Sequence, residues 1–157
     1  MDTAMRAFRL VVASSCLAAI PALAQKPRDI SRLDPCKVLM PADLAATTKG
    51  KVSSTVGGGV GSAACLWVVD APTGAGTYQL FLQKADLIET LFKVKTPAEK
   101  GTPVAGLWTE AYMQPPGTHG DQYILTVLNK GDMAIEVHGV NKDAVTALGR
   151  LAVSRLK

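Results

Sequence analysis

The sequence predicts an α+β fold: a single antiparallel β-sheet with helices packed on one face. Three observations lead to this class. Apolar residues alternate over residues 77–84, as they do in a strand with one buried face. They recur at helical spacing over residues 86–95. Short turns join most of the predicted strands, which favours antiparallel pairing and leaves the helices to cover the sheet.

The N-terminus has the pattern of a secretory signal peptide. Arg6 and Arg9 precede an apolar segment over residues 10–20, and a small-x-small motif ends at Ala24. The apolar segment is shorter than the roughly 20 residues that a membrane-spanning helix needs. We therefore expect cleavage after Ala24 (residues 1–24 being the signal peptide), release into the periplasm or the medium, and no stable membrane span in the mature chain.

Cys16 supports an alternative, a lipoprotein cleaved just before this cysteine. The match to a lipidation motif is poor, because Ala13 stands where an aliphatic residue such as Leu is usual. Lipidation would also leave the apolar residues 17–24 as the tether. We favour soluble export, followed by a flexible leader over residues 25–33 and one α+β domain over residues 34–157.

Two cysteines remain after removal of the signal peptide, Cys36 and Cys65. An even number of cysteines in an exported chain indicates a disulfide. A metal site is not expected, because no histidine or further cysteine lies at ligand spacing from either residue.

The first half of the domain is predicted to contain a helix and a hairpin. Pro41 suits the first turn of a helix, and Gly50 suits its end. Residues 52–64 contain three consecutive glycines, but no Gly-Lys-Ser/Thr motif follows, so we expect a flexible surface loop and not a phosphate site. Residues 65–70 and 77–84 form the strands of the predicted hairpin.

The helix predicted over residues 86–95 carries apolar residues that we assign to one buried stripe: Leu87, Ile88, Leu91 and Phe92. A further strand is expected within residues 104–113. This region completes the connection to the C-terminal part of the domain.

The C-terminal part is predicted as a hairpin followed by a helix. Residues 122–128 and 133–140 form the strands, joined by a turn over residues 129–132 that contains Asn and Gly. Asn141 is expected to cap a helix that continues to Leu156.

Several short motifs, in this order, resemble a family of small bacterial cell-envelope proteins, many of them lipoproteins, with a domain of unknown function. The motifs are Asp34-Pro35-Cys36-Lys37-Val38-Leu39, Pro41-Ala42-Asp43, Cys65-Leu66-Trp67, Val104-Ala105-Gly106-Leu107 and Glu110-Ala111-Tyr112. They span nearly the whole mature chain.

The resemblance implies a PsbP-like architecture, an antiparallel sheet backed by helices, and a disulfide between the cysteines that match Cys36 and Cys65. It implies no activity. One departure concerns the turn after Leu107, where the family has Gly-Asp and this chain has Trp108 and Thr109. Since Trp disfavours a glycine-type backbone, the turn is expected to differ here.

Composition excludes several functions. The chain has 157 residues and a net charge of +4 without a basic cluster, so nucleic-acid binding is not expected. There is no Cys-x-x-Cys-His motif for haem. The two histidines are His119, in a loop, and His138, on a strand beside Glu136. They do not make a selective metal site, and we expect no cofactor and no catalytic residues.

The sequence therefore favours a non-catalytic binding or interaction domain of the cell envelope, whose partner is an envelope protein or a small ligand. A small periplasmic hydrolase or metal-dependent enzyme is one alternative. An inhibitor or immunity protein for a secreted enzyme is another.

The candidate binding surface follows from strand alternation. If Tyr78, Leu80, Leu82, Ile135 and Val137 face the helices, the opposite face carries Gln79, Phe81, Gln83, Thr126, Glu136 and His138. An exposed aromatic among hydrogen-bonding side chains suits recognition. The alternative is an ordinary solvated sheet face.

Overall fold

The fold is taken from a computed structural model that describes residues 26–72, 75–117 and 120–157. The predicted signal peptide, the alternative lipidation site Cys16, and His119 lie outside these residues. Within the described ranges, the buried apolar residues fall between Pro35 and Leu156.

A seven-stranded antiparallel sheet forms the centre of the protein. The α+β class with a single antiparallel sheet is thus confirmed. The strands are β1 (Lys51–Gly57), β2 (Ala64–Asp70), β3 (Gly76–Lys84), β4 (Thr102–Pro103), β5 (Glu110–Gln114), β6 (Tyr123–Asn129) and β7 (Met133–Gly139). Their order in the sheet is β1-β2-β3-β7-β6-β5-β4, so two meanders make up the sheet and are joined where β3 pairs with β7.

Five α-helices accompany the sheet within the described residues: α1 (Pro35–Val38), α2 (Pro41–Thr48), α3 (Ala85–Val94), α4 (Pro97–Lys100) and α5 (Lys142–Arg155). The predicted cap of α5 is present, because the Asn141 side chain accepts a hydrogen bond from the amide of Ala144 at 3.0 Å. Arg155, near the other end of α5, pairs with Asp43 of α2 at 2.6 Å. This pair holds the two helices together.

The main core lies between α1, α2 and α5 and one face of the sheet, which we call the inner face. Tyr78, Leu80, Leu82, Ile135 and Val137 are all buried there, as alternation predicts. Other large members of this core are Trp67, Leu125, Val145 and Leu148. Its apolar area provides the main driving force for folding.

Helix α3 lies on the opposite face of the sheet and covers only one end of it. Ala85, Ile88 and Phe92 pack there against Leu128 and Ala134 in a second, smaller apolar cluster. Since β3 ends at Lys84 and α3 begins at the next residue, no linker is available to carry the helix farther.

The disulfide between Cys36 and Cys65 joins α1 to β2, with a Cα–Cα distance of 5.3 Å. Asp34 organises the same region, since its carboxylate accepts hydrogen bonds from the amides of Cys36 at 3.0 Å and Gly59 at 2.9 Å. Gly58 has a φ of 85° and passes so close to Cys36 that a Cβ atom would collide with Sγ. The glycine run therefore lies against the disulfide.

The expectation of a flexible loop over residues 52–64 is wrong for its first part, because Lys51–Gly57 forms edge strand β1. An irregularity in the pairing between Val52 and Ser54 interrupts the alternation that would have revealed the strand. Its side chains are almost all exposed, so the strand also lacks a strong apolar signal.

The strand expected within residues 104–113 is β5, which begins only at Glu110. A turn precedes it, in which Gly106 has a φ of 77° and Trp108 a φ of 32°. Trp108 therefore adopts a left-handed backbone that disfavours a large side chain. Its ring packs against the main core, which offsets part of this strain.

The segment predicted as a flexible leader makes specific contacts with the domain. The amide of Arg28 donates to Asp132 at 2.8 Å, and its guanidinium group pairs with the same carboxylate at 3.2 Å. That guanidinium group also donates to the carbonyl of Leu156. Arg28 thus bridges the β6–β7 turn and the C-terminus of α5.

We expect loss of the disulfide to lower stability strongly. Replacing both Cys36 and Cys65 with Ala should reduce the free energy of unfolding by about 2–5 kcal/mol, because the cross-link restricts the unfolded chain. Urea unfolding of the oxidised protein, the reduced protein and this variant measures the effect. The reduced protein and the variant should agree. Equal stability of all three would contradict the prediction.

Candidate functional site

The six residues predicted to share a binding surface lie together on the face opposite the main core. Gln79, Phe81 and Gln83 come from β3, Thr126 from β6, and Glu136 and His138 from β7, and these strands are adjacent. We call this set the outer face. Five of the six are half-buried, and Thr126 is buried. It is therefore more enclosed than an ordinary solvated sheet face.

Antiparallel register puts Glu136 at the centre of the outer face. Glu136 lies opposite Phe81 on one neighbouring strand and opposite Thr126 on the other. His138, two residues along β7, lies opposite Gln79 and Ile124. Residues from distant parts of the sequence therefore meet around one carboxylate.

The carboxylate of Glu136 is held by two neutral donors. The side-chain amide of Gln83 donates to Oε2 at 2.7 Å, and the hydroxyl of Thr126 donates to Oε1 at 3.2 Å. His138 Nε2 lies 3.6 Å from Oε2, which is within ion-pair range but beyond a good hydrogen bond. The carboxylate therefore has a fixed orientation on the face.

Two opposing effects act on the pKa of Glu136. Burial favours the neutral acid and acts to raise the pKa. The contact with His138 and the hydrogen bonds from Thr126 and Gln83 favour the carboxylate and outweigh burial, so the pKa lies below its ordinary value. Glu136 is therefore ionised at neutral pH.

His138 and Phe81 form an aromatic pair beside this carboxylate. Their ring centroids are 4.9 Å apart and the planes are tilted by 49°. Within the described part of the chain, Nε2 of His138 is buried and has no hydrogen-bond partner. An unpaired buried polar atom is unfavourable, and the Glu136 carboxylate 3.6 Å away offsets part of that cost.

The arrangement of these side chains does not match a nucleophile activated by a base. The hydroxyl of Thr126 donates to Glu136, and not to His138, so the order required for a catalytic triad is missing here. Cys36 and Cys65 are held in the disulfide. In the described ranges, no three His, Cys, Asp or Glu residues are grouped so as to hold a metal ion.

An open groove of about 720 Å³ continues from the outer face. Phe81 and Gln83 belong to both the face and the groove, and the groove extends to Ile30, Ala63 and Leu87. Its lining is mainly apolar. A ligand could therefore place an apolar group in the groove and a polar group near Glu136.

Helix α3 forms one wall of this groove through Leu87. The prediction that Leu87 and Leu91 belong to a buried stripe is wrong, since they are 54% and 40% exposed. Ile88 and Phe92, in contrast, are buried. Only a narrow strip of the helix surface contacts the sheet, and Leu87 and Leu91 lie beside that strip.

Two further residues of this face were missed by sequence reasoning, Ile124 on β6 and Tyr112 on β5. The register pairs Ile124 with His138 and Tyr112 with Thr126. Period-two alternation within β6 could have identified Ile124. Tyr112 packs edge-to-face on Phe92 with a centroid distance of 5.1 Å, so it also anchors α3.

Comparison with family models, curated proteins and solved structures gives no match. The resemblance to envelope proteins with a domain of unknown function therefore stays a prediction.

Glu136→Gln should lower the free energy of unfolding near neutral pH by about 1–3 kcal/mol, because it removes a hydrogen-bonded charge. A depressed folded-state pKa means that ionisation stabilises the fold above the unfolded-state pKa of about 4.3. That contribution is lost as the pH falls through the lower folded-state pKa. The difference between wild type and variant should therefore shrink in acid.

Urea unfolding across this pH range measures the effect. Glu110→Gln is the matched control: Glu110 is on neighbouring strand β5 and makes a surface ion pair with Lys130. It should change stability by less than about 1 kcal/mol. A pH-independent difference for Glu136→Gln would contradict the assignment.

Proposed function

We propose that this protein is an exported, non-catalytic binding domain of the bacterial cell envelope, and that its outer face recognises the partner. The observation that carries the proposal is the convergence of five residues from three strands around Glu136. The main core is built on the other side of the sheet, so this cluster is not needed to close it.

The chemistry of the surface supports recognition. Phe81 offers an aromatic contact at the border of the groove, and Gln79 and Gln83 offer hydrogen-bonding groups beside it. Glu136 offers a negative charge, and the imidazole ring of His138 lies next to it. Binding surfaces commonly combine an aromatic anchor with polar groups in this way.

Location in the envelope is supported by the disulfide. Disulfides persist in oxidising compartments outside the cytoplasm, and Cys36 and Cys65 are joined. The helices of the described part of the chain are too short or too polar to cross a membrane. We infer that residues 1–24 are a cleaved signal peptide and that the chain is a member of the envelope family that its motifs resemble.

Phe81→Ala should weaken partner binding by about tenfold or more, as loss of a central aromatic contact does. The test uses the chain from Gln25 as bait in envelope extract, with chemical cross-linking and mass spectrometry. A Val60→Ala bait is the control, since Val60 is a 70% exposed aliphatic side chain in the glycine loop.

The partner is the protein or ligand that wild type and Val60→Ala retain and Phe81→Ala loses, while circular dichroism shows that all three baits are folded. A secreted enzyme in this position would identify the domain as an inhibitor. Identical capture by the three baits would show that the outer face is not the binding surface.

Export should produce a chain that begins at Gln25, because the small-x-small motif ends at Ala24. N-terminal sequencing or intact mass of the protein purified from the periplasm or medium measures this, with Ala24→Arg as a variant that should block cleavage. Labelling of Cys16 by a palmitate analogue would contradict it and indicate a lipoprotein.

A further inference from the structure

Helix α3 has an apolar side that faces solvent. Leu87, Leu91 and Val94 are 54%, 40% and 76% exposed. Spacings of four and three residues put them in one row along the helix. We call this row the α3 stripe. The apolar contacts of α3 with the sheet are made by other residues, so packing of the helix does not require the stripe.

Lysines lie at both ends of α3. Lys84 precedes the first turn, Lys93 lies in the last turn, and Lys95 follows it. Long lysine side chains can keep their charge in a polar layer while neighbouring apolar groups enter an apolar one.

The two acids of α3 lie in its N-terminal half. Asp86 accepts from the amide of Leu87 at 2.9 Å, at the N-terminus of the helix. Glu89 accepts from the amide of Gly131 at 2.9 Å, so its carboxylate is directed to the β6–β7 turn. The C-terminal half of the stripe is therefore bordered by cationic side chains.

We propose that the α3 stripe docks reversibly on the surface of an anionic phospholipid bilayer. A row of aliphatic side chains bordered by lysines is the pattern of helices that lie in a membrane interface. The lysines match the negative charge of anionic headgroups. Leu87 also lines the groove beside the outer face, whereas Leu91 and Val94 continue the row beyond it. The proposal does not rest on the partner proposed above.

The size of the stripe favours a bilayer over a second copy of the chain. A stable dimer buries about 800 Å² on each partner, with roughly 20–30 residues a side. The three aliphatic residues of the stripe and the three lysines near it are far fewer. A bilayer needs no complementary protein surface, and its contact with a short row of residues is weak and reversible.

Vesicle flotation of the chain from Gln25 tests the proposal. The vesicles contain either phosphatidylglycerol with phosphatidylethanolamine or phosphatidylcholine alone. Wild type should float with the anionic vesicles, and high salt should release it because the lysine contribution is screened. It should remain unbound with phosphatidylcholine.

A triple variant, Leu87→Gln, Leu91→Gln and Val94→Gln, should reduce partitioning by about tenfold or more, since each aliphatic side chain contributes to insertion. The matched control is Val56→Gln with Val60→Gln, two exposed valines outside α3 that are 58% and 70% exposed. This control should bind as wild type does.

A second triple variant, Lys84→Gln, Lys93→Gln and Lys95→Gln, should abolish the preference for anionic vesicles. Equal flotation of wild type and the stripe variant would overturn the proposal. So would failure of wild type to bind, or a dimer in sedimentation that only the stripe variant disrupts. Thermal unfolding of each variant verifies that it is folded.

Discussion

The antiparallel pairing of β3 with β7 is the constraint on which the rest of the structure depends. It joins the meander of β1–β3 to the meander of β4–β7, and it fixes which residues meet across the middle of the sheet. In this register Leu80 lies opposite Val137, and Phe81 lies opposite Glu136. A slip of one residue would move the core residues to the outer face and bring polar residues into the core. The apolar core and the polar cluster are therefore two results of the same pairing.

Alternation along single strands explains why part of this surface could be predicted from sequence. In β3 and β7 each apolar residue of the inner face alternates with a residue of the outer face, and this pattern needs no knowledge of the partner strand. The hydrogen bond from Gln83 to Glu136 could not be predicted, because it joins residues 53 positions apart and requires the strand register. The sequence also could not place α3. Its apolar residues occupy more of the helix than the sheet covers, so periodicity did not distinguish Ile88 from Leu87.

Helix α3 divides the face opposite the main core into regions with different properties. Beneath the helix, Leu128 and Ala134 are sealed in the second apolar cluster. Beside it, Phe81 and Gln83 remain accessible at the groove. The helix begins directly after β3, so its position on the sheet is fixed by this direct connection. That position sets the boundary between the covered and the accessible parts of the sheet face. Polar residues could be tolerated at the centre of this sheet face since the larger core, on the inner side, supplies most of the apolar burial.

The glycine run at residues 57–59 has a consequence for the chemistry of the cross-link. Cys65 is fully buried, and the backbone of Gly58 lies directly over Sγ of Cys36. A thiol reductant has to approach one sulfur in line with the bond between them. Cys65 offers no exposed surface for this approach, so attack falls on the half-buried Cys36, beside which the glycine segment lies. A side chain at residue 58 would collide with that sulfur and displace the loop from the cross-link.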